Sequence, residues 1–240
     1  MTNRPEAERG RDTKDAERAL PYAQLLRSLE VQGAPLPHGW QAGFDRRAFG
    51  PVLRCRAVLA DFRAAAFVNA AERTVAIAIP GTRVNLRGSL GVVHRRVFGG
   101  ASRLAMALVG LVRTELRDHA VTIVGHSSGG GIASHVGAAL GLPSITFNGA
   151  RTRAALLNNG DRQLNVIVRG DFWGDPNVLP GRLAGRTLWL DGEGAGPRGR
   201  HSMSTIVERL EGLVGSARTP TEHPPTRGAR RTTDSSDEAV

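Results

Sequence analysis

The chain lacks several things that proteins of its size commonly use. Cys55 is its one cysteine in 240 residues, so no intrachain disulfide can form and folding cannot depend on an oxidising compartment. Aromatic residues make up only 5% of the chain, which leaves few platforms on which nucleic-acid bases could stack. No uncharged apolar run approaches the roughly 20 residues needed to cross a bilayer, and a soluble protein is expected. The opening stretch, MTNRPEAERGRDTKDAERAL, has no apolar segment of the secretory kind. The expected location is therefore the cytoplasm, or outside the cell by a route that needs no signal peptide.

Lysine is nearly absent as well. Lys14 is the only one, and the formal net charge of +10 rests on scattered arginines. Such a field draws polyanions without a specific site, and the partner it suggests is an anionic membrane surface. Nucleic acid is not expected, because the arginines form no stripe and the aromatics that would interleave with them are missing. Nothing in the sequence fixes the oligomeric state.

What is present is an alternation of short apolar strands and amphipathic helices. Residues 1–18 are polar and residues 217–240 are proline-rich and almost free of large apolar side chains, so both ends are expected to be disordered, leaving one domain over 19–216. Tyr22, Leu25, Leu26 and Leu29 form the one-sided stripe of a helix that docks on a core. A glycine- and proline-rich loop is expected over 33–51, then a strand pair at 62–69 and 73–79. After these the pattern reads helix 101–118, strand 120–124, helix 128–140, strand 144–147, helix 151–158, strands 164–168 and 187–190, and a last helix at 202–214. Strands alternating with helices imply an α/β fold with a mostly parallel central sheet covered by helices on both faces.

Gly125-His126-Ser127-Ser128-Gly129 follows the buried strand directly and opens a helix of small residues. This is the setting of a G-x-S-x-G elbow, in which glycines flank a tight strand-to-helix turn and the serine is held above the sheet. Ser127 is the candidate nucleophile, and the backbone amide of Ser128 at the helix N-terminus is a candidate oxyanion donor. A serine hydroxyl needs a base, and the base needs an orienting carboxylate, which in this fold follow in the order acid, then histidine. Of the two histidines well downstream, His223 sits in the tail, whereas His201 follows a glycine-rich loop and precedes the last helix. His201 is the expected base. His126 and His135 read as packing or surface residues. Asp161, Asp171, Asp175, Asp191 and Glu193 lie between serine and histidine. Catalytic acids in open α/β sheets sit beyond the carboxyl ends of strands, which favours Asp171, with Asp175 in the same loop as the alternative acid.

These motifs resemble the class 3 lipases and related bacterial lipase-family proteins over most of residues 20–214. The resemblance rests on GHSSGG, on Ile79-Pro80-Gly81-Thr82, on Val93-His94, on Thr146-Phe147-Asn148-Gly149 and on His201-Ser202-Met203. It implies an α/β-hydrolase fold, an oxyanion-hole role for Thr82, a structural role for His94 and a lid or covering loop over 83–97. Two departures stand out. Pro80 replaces the arginine usual before Gly-Thr, and the family's acid loop is matched only loosely by Asp175-Pro176-Asn177-Val178-Leu179-Pro180, a match that speaks for Asp175. The function expected is hydrolysis of carboxylic esters of lipids, of lipase or phospholipase type, through a Ser-His-Asp triad with no cofactor or metal. A thioesterase or small-ester esterase would use the same triad. A non-catalytic fold that binds lipid or protein would need the ordered serine, acid and histidine to be coincidence.

Overall fold

The computed structural model describes residues 6–48, 50–51, 62–81, 99–150, 160–179 and 183–218. Strands β1 (Trp40–Asp45), β2 (Ala65–Asn69), β3 (Thr74–Ile79), β4 (Ala120–His126), β5 (Ser144–Phe147), β6 (Gln163–Val168) and β7 (Arg186–Leu190) form one sheet whose spatial order is the sequence order. β1 to β3 pair antiparallel, and every pairing from β3 to β7 is parallel. The helices are α1 (Glu6–Glu30), α2 (Gly100–Glu115), α3 (Ser128–Leu140), a short α4 (Pro197–Arg200) and α5 (Met203–Arg218). No helix among the described residues is long and apolar enough to cross a membrane.

Side chains alternate across a strand, and β3 shows the consequence. Val75, Ile77 and Ile79 enter one core, while Ala76 and Ala78 enter the other. The steps from β3 to β4 and from β4 to β5 move the same way across the sheet, and right-handed crossovers then put both connecting helices on one face. Leu104, Leu108 and Val112 of α2 and Ile132 and Val136 of α3 accordingly share the first core. The opposite face must be covered by helices from the two ends of the domain. Ala16, Ala19, Ala23, Leu25 and Leu26 of α1 pack there with Ile206, Val207 and Leu210 of α5.

Three expectations are corrected here. The segment 1–18 is not disordered as a whole, since α1 starts at Glu6. Its alanines carry little hydrophobic signal in the sequence, yet Ala16 and Ala19 are fully buried, and Asp15 Oδ1 pairs with Arg186 Nη2 of β7 at 2.9 Å. The loop expected over 33–51 contains β1. A register shift between Ala42 and Asp45 inserts a bulge, so Trp40 and Phe44, which would share a face in a regular strand, reach opposite cores. That switch erased the period-two pattern. At the other end α5 runs to Arg218, past the expected boundary at 216. The expected helix at 151–158, the covering loop at 83–97 and residues 219–240 of the tail lie outside the described residues.

Candidate active site

The carboxyl ends of β4, β6 and β7 and the loops that follow them carry Ser127, Asp171 and His201. Ser127 stands between β4 and α3 with φ 55° and ψ −123°, a conformation that costs a non-glycine residue about 1–3 kcal/mol. The surrounding backbone holds it there. Its N–H donates to the Phe147 carbonyl at 3.1 Å, and its own carbonyl accepts from Ala150 N at 2.7 Å. The glycines on either side are required by contact. A Cβ on Gly125 would overlap the Gly129 carbonyl, and one on Gly129 would overlap the Ile79 carbonyl at the end of β3. The elbow therefore packs against the neighbouring strand as well as against itself. Ser127 is half-buried, and Ser128 is the first residue of α3, whose first-turn N–H groups point back toward the serine end of the helix.

His201 and Asp171 meet. His201 Nδ1 lies 2.7 Å from Asp171 Oδ2, and Asp171 Oδ1 accepts from the backbone N–H of Trp173 at 2.9 Å and of Gly174 at 2.7 Å. An ionised carboxylate only accepts, so Nδ1 carries the proton and Nε2 presents its lone pair. Among the described residues, Nε2 of His201 has no hydrogen-bond partner. The carboxylate is 1% exposed and the imidazole 25%, so the pair is a buried acceptor holding a ring that reaches the surface.

Asp175 does not reach the histidine. Its Oδ2 accepts from Gly170 N at 2.7 Å and its Oδ1 from Asn177 N at 2.8 Å, so it shapes the loop that carries Asp171. The loose sequence match at Asp175-Pro176 is thereby overruled by geometry as a choice of acid. Thr82, expected in the oxyanion hole, lies outside the described residues. Gly81 before it is described, and a Cβ there would come within 3.2 Å of Ser127 Cβ, so the turn after β3 packs against Ser127.

Two residues escaped sequence reasoning. Asn148, fully buried at φ 43°, donates through Nδ2 to the Arg200 carbonyl at 2.7 Å and accepts through Oδ1 from Val168 N at 2.9 Å. Asparagine tolerates positive φ, and here it ties the ends of β5 and β6 to the histidine loop. His126 was expected to be a packing or surface residue. Its Nε2 lies 2.8 Å from the His201 carbonyl oxygen, and the two ring centroids are 4.8 Å apart. Consecutive carbonyls, those of Arg200 and His201, are thus each bonded by a side chain at the end of a neighbouring strand. The signal for Asn148 was a polar residue directly after an apolar strand. No signal in the sequence alone paired His126 with a carbonyl 75 residues away. No group of three or more His, Cys, Asp or Glu among the described residues is arranged to hold a metal.

No protein-family model matches the sequence, and no curated protein matches it. Solved structures do. A triacylglycerol lipase from Penicillium expansum is 15% identical, with 82% of this chain and 89% of that one covered and a TM-score of 0.50. The Rhizomucor miehei lipase propeptide complex is 14% identical, covering 86% and 80%, with a TM-score of 0.49. Nonglycosylated Yarrowia lipolytica Lip2 lipase is 12% identical, covering 78% and 81%, at 0.49. The likeness to the Penicillium structure is one of fold: with its mostly parallel seven-stranded sheet between helices, the chain has the α/β-hydrolase fold.

Proposed function

We propose that the chain is a serine hydrolase that cleaves carboxylic esters of lipids, of lipase or phospholipase type. One observation carries the reading: a histidine held through Nδ1 by a buried carboxylate, its Nε2 without a partner among the described residues, at the sheet edge where a strained serine is fixed in an elbow. In the first step Ser127 Oγ attacks the ester carbonyl carbon while His201 Nε2 takes its proton, and the carbonyl electrons move to the oxygen. That oxyanion falls to the amide of Ser128 and to Thr82. Collapse breaks the bond to the alcohol, which leaves with the proton from His201. Water, deprotonated by His201, then attacks the acyl-serine, releasing the acid and restoring Ser127. Asp171 holds the tautomer throughout and stabilises the imidazolium when it forms. The chain's own groups supply every proton transfer. The charge of +10 supports contact with an anionic lipid surface.

The test is a hydrolysis profile over p-nitrophenyl esters of rising chain length, triacylglycerols, phospholipids and acyl thioesters, with Ser127→Ala alongside. Preference for long-chain lipid esters, abolished in Ser127→Ala with thermal stability nearly unchanged, is the expected result. Preference for thioesters or short esters would move the substrate class, and retained activity in the variant would sink the serine-hydrolase reading.

A further inference from the structure

The face that docks α1 on the core runs Ala16, Ala19, Ala23, Leu26 and then Glu30, in alternating steps of three and four residues. A carboxylate therefore stands at the last position of a stripe that otherwise buries apolar side chains. One of its oxygens is engaged twice. Glu30 Oε1 accepts from the backbone N–H of Gly81 at 3.0 Å and lies 2.8 Å from His126 Nδ1. The Gly81 carbonyl, on the other side of the same residue, accepts from Arg63 Nη2 at 2.7 Å. His126 completes the chain of contacts, since its Nε2 faces the carbonyl oxygen of His201 at 2.8 Å.

The partners dictate the protons. A backbone carbonyl can only accept, so Nε2 of His126 carries a hydrogen, and a carboxylate can only accept, so Nδ1 carries one too. A ring that donates from both nitrogens is an imidazolium. Burial pushes the Glu30 carboxyl up, but the hydrogen bond and charge of His126, the Gly81 amide and the charge of Arg63 outweigh it and hold the group below the ordinary value of 4.5. The Glu30 oxygen that faces the ring also accepts from the Gly81 N–H, which is a carboxylate's part in this bonding.

We infer that Glu30 is a positioning residue: through an imidazolium at His126 it binds the backbone of His201 and the turn at Gly81 to a single point, keeping the base and the oxyanion turn in register with Ser127. For its effect on turnover the inference rests on the serine-hydrolase reading; for the protonation of His126 it does not. The catalytic consequence follows from geometry, because a 1 Å misplacement of a reacting group can cost about 10²-fold in rate. An amide at position 30 cannot do both jobs. Turned to donate to a neutral His126, it faces the Gly81 N–H with a second donor; turned to accept from Gly81, it leaves the imidazolium without its counter-charge.

The experiment uses the full chain in two arms. Nitrogen-15 spectra of histidine-labelled protein at pH 7 are expected to show His126 with both ring nitrogens protonated, and Glu30→Gln is expected to lose that signature. Among the described residues, the charged and titratable groups around His126 are Glu30, Arg63, His201 and, behind His201, Asp171, so the signal is followed in Asp171→Asn to separate the two rings. In kinetics, Glu30→Gln is expected to lower kcat about tenfold or more with KM nearly unchanged, and Glu30→Asp to recover part of it. Asp15→Asn is the control, because it weakens the docking of α1 through the Arg186 pair on β7 while leaving Glu30 in place. A neutral His126 in the wild-type spectrum overturns the inference, and that measurement needs no variant to fold. Wild-type kcat in Glu30→Gln overturns it too, as does an equal loss of kcat in Asp15→Asn. A wild-type protein that cleaves no ester would instead remove the serine-hydrolase reading, and the nitrogen signals would still decide the state of His126.

Discussion

Two imidazole–carboxylate pairs stand side by side at one end of the sheet. His201–Asp171 is built from the loops after β6 and β7, and His126–Glu30 joins the end of β4 to the end of α1. Both carboxylates lie within 2.8 Å of their ring and also accept from backbone N–H groups. The difference is at the second nitrogen. His126 Nε2 is committed to a carbonyl, whereas His201 Nε2 has no partner among the described residues. A ring with one engaged nitrogen can take up and return a proton, because one lone pair remains for the task. A ring with two engaged nitrogens holds its neighbours in place. The same pair of residue types leaves one nitrogen open in one place and commits both in the other, according to what faces the last nitrogen.

Breaking the first pair has the largest expected effect. Asp171→Asn leaves the ring free to adopt the wrong tautomer, and a loss of order 10⁴ in kcat, as in the serine-protease case, is expected in steady-state assays. Its neighbour provides the contrast. Asp175→Asn keeps an oxygen to accept from one backbone N–H and is expected to change kcat by less than about tenfold, a difference of about 1.4 kcal/mol in barrier. Reversal of the two results would return the acid's role to Asp175 and break the comparison.

Asn148→Ala tests whether the base loop needs its own brace. The change leaves the buried Val168 N–H and the Arg200 carbonyl without their partner, at about 1–3 kcal/mol each. A fall in melting temperature of several degrees is expected together with a lower kcat; a drop in stability alone would show that His126 suffices to hold the loop.

The smallest effect concerns acid. The folded pKa of Glu30 lies below its ordinary 4.5, so its contribution to stability is present above that value and is lost as pH falls through the depressed one. Melting temperatures measured across acid pH should separate wild type from Glu30→Gln above about pH 4.5 and converge below the depressed value. Parallel curves throughout would mean that the second pair adds nothing to stability through its charge.

Much of this was legible before any coordinates. The run 120–124, the small-residue helix from Ser128 and the strand at 144–147 announce themselves because local periodicity and glycine sterics act over a few residues. The choice of Asp171 came from its place at a strand end. The extent of α1 was hidden because alanine contributes little hydrophobic signal, and only docking against α5 shows that Ala16 and Ala19 are buried. β1 was hidden by its bulge, which breaks the alternation a strand is recognised by.

By itself the sequence determined the strand–elbow–helix around Ser127 and the order of serine, acid and histidine, since both are properties of the chain's local chemistry and direction. Tertiary structure alone decided which carboxylate meets which imidazole. Asp171 and Asp175 share a loop and are equally acidic by type; the turn at Gly170 and the bonds Asp175 makes to Gly170 and Asn177 send one of them to His201 and keep the other at home. Glu30 and His126 are 96 residues apart, and no periodicity links them. They meet because right-handed crossovers put α2 and α3 on one face of the sheet, leaving the other for α1, whose last turn then brings Glu30 against the elbow.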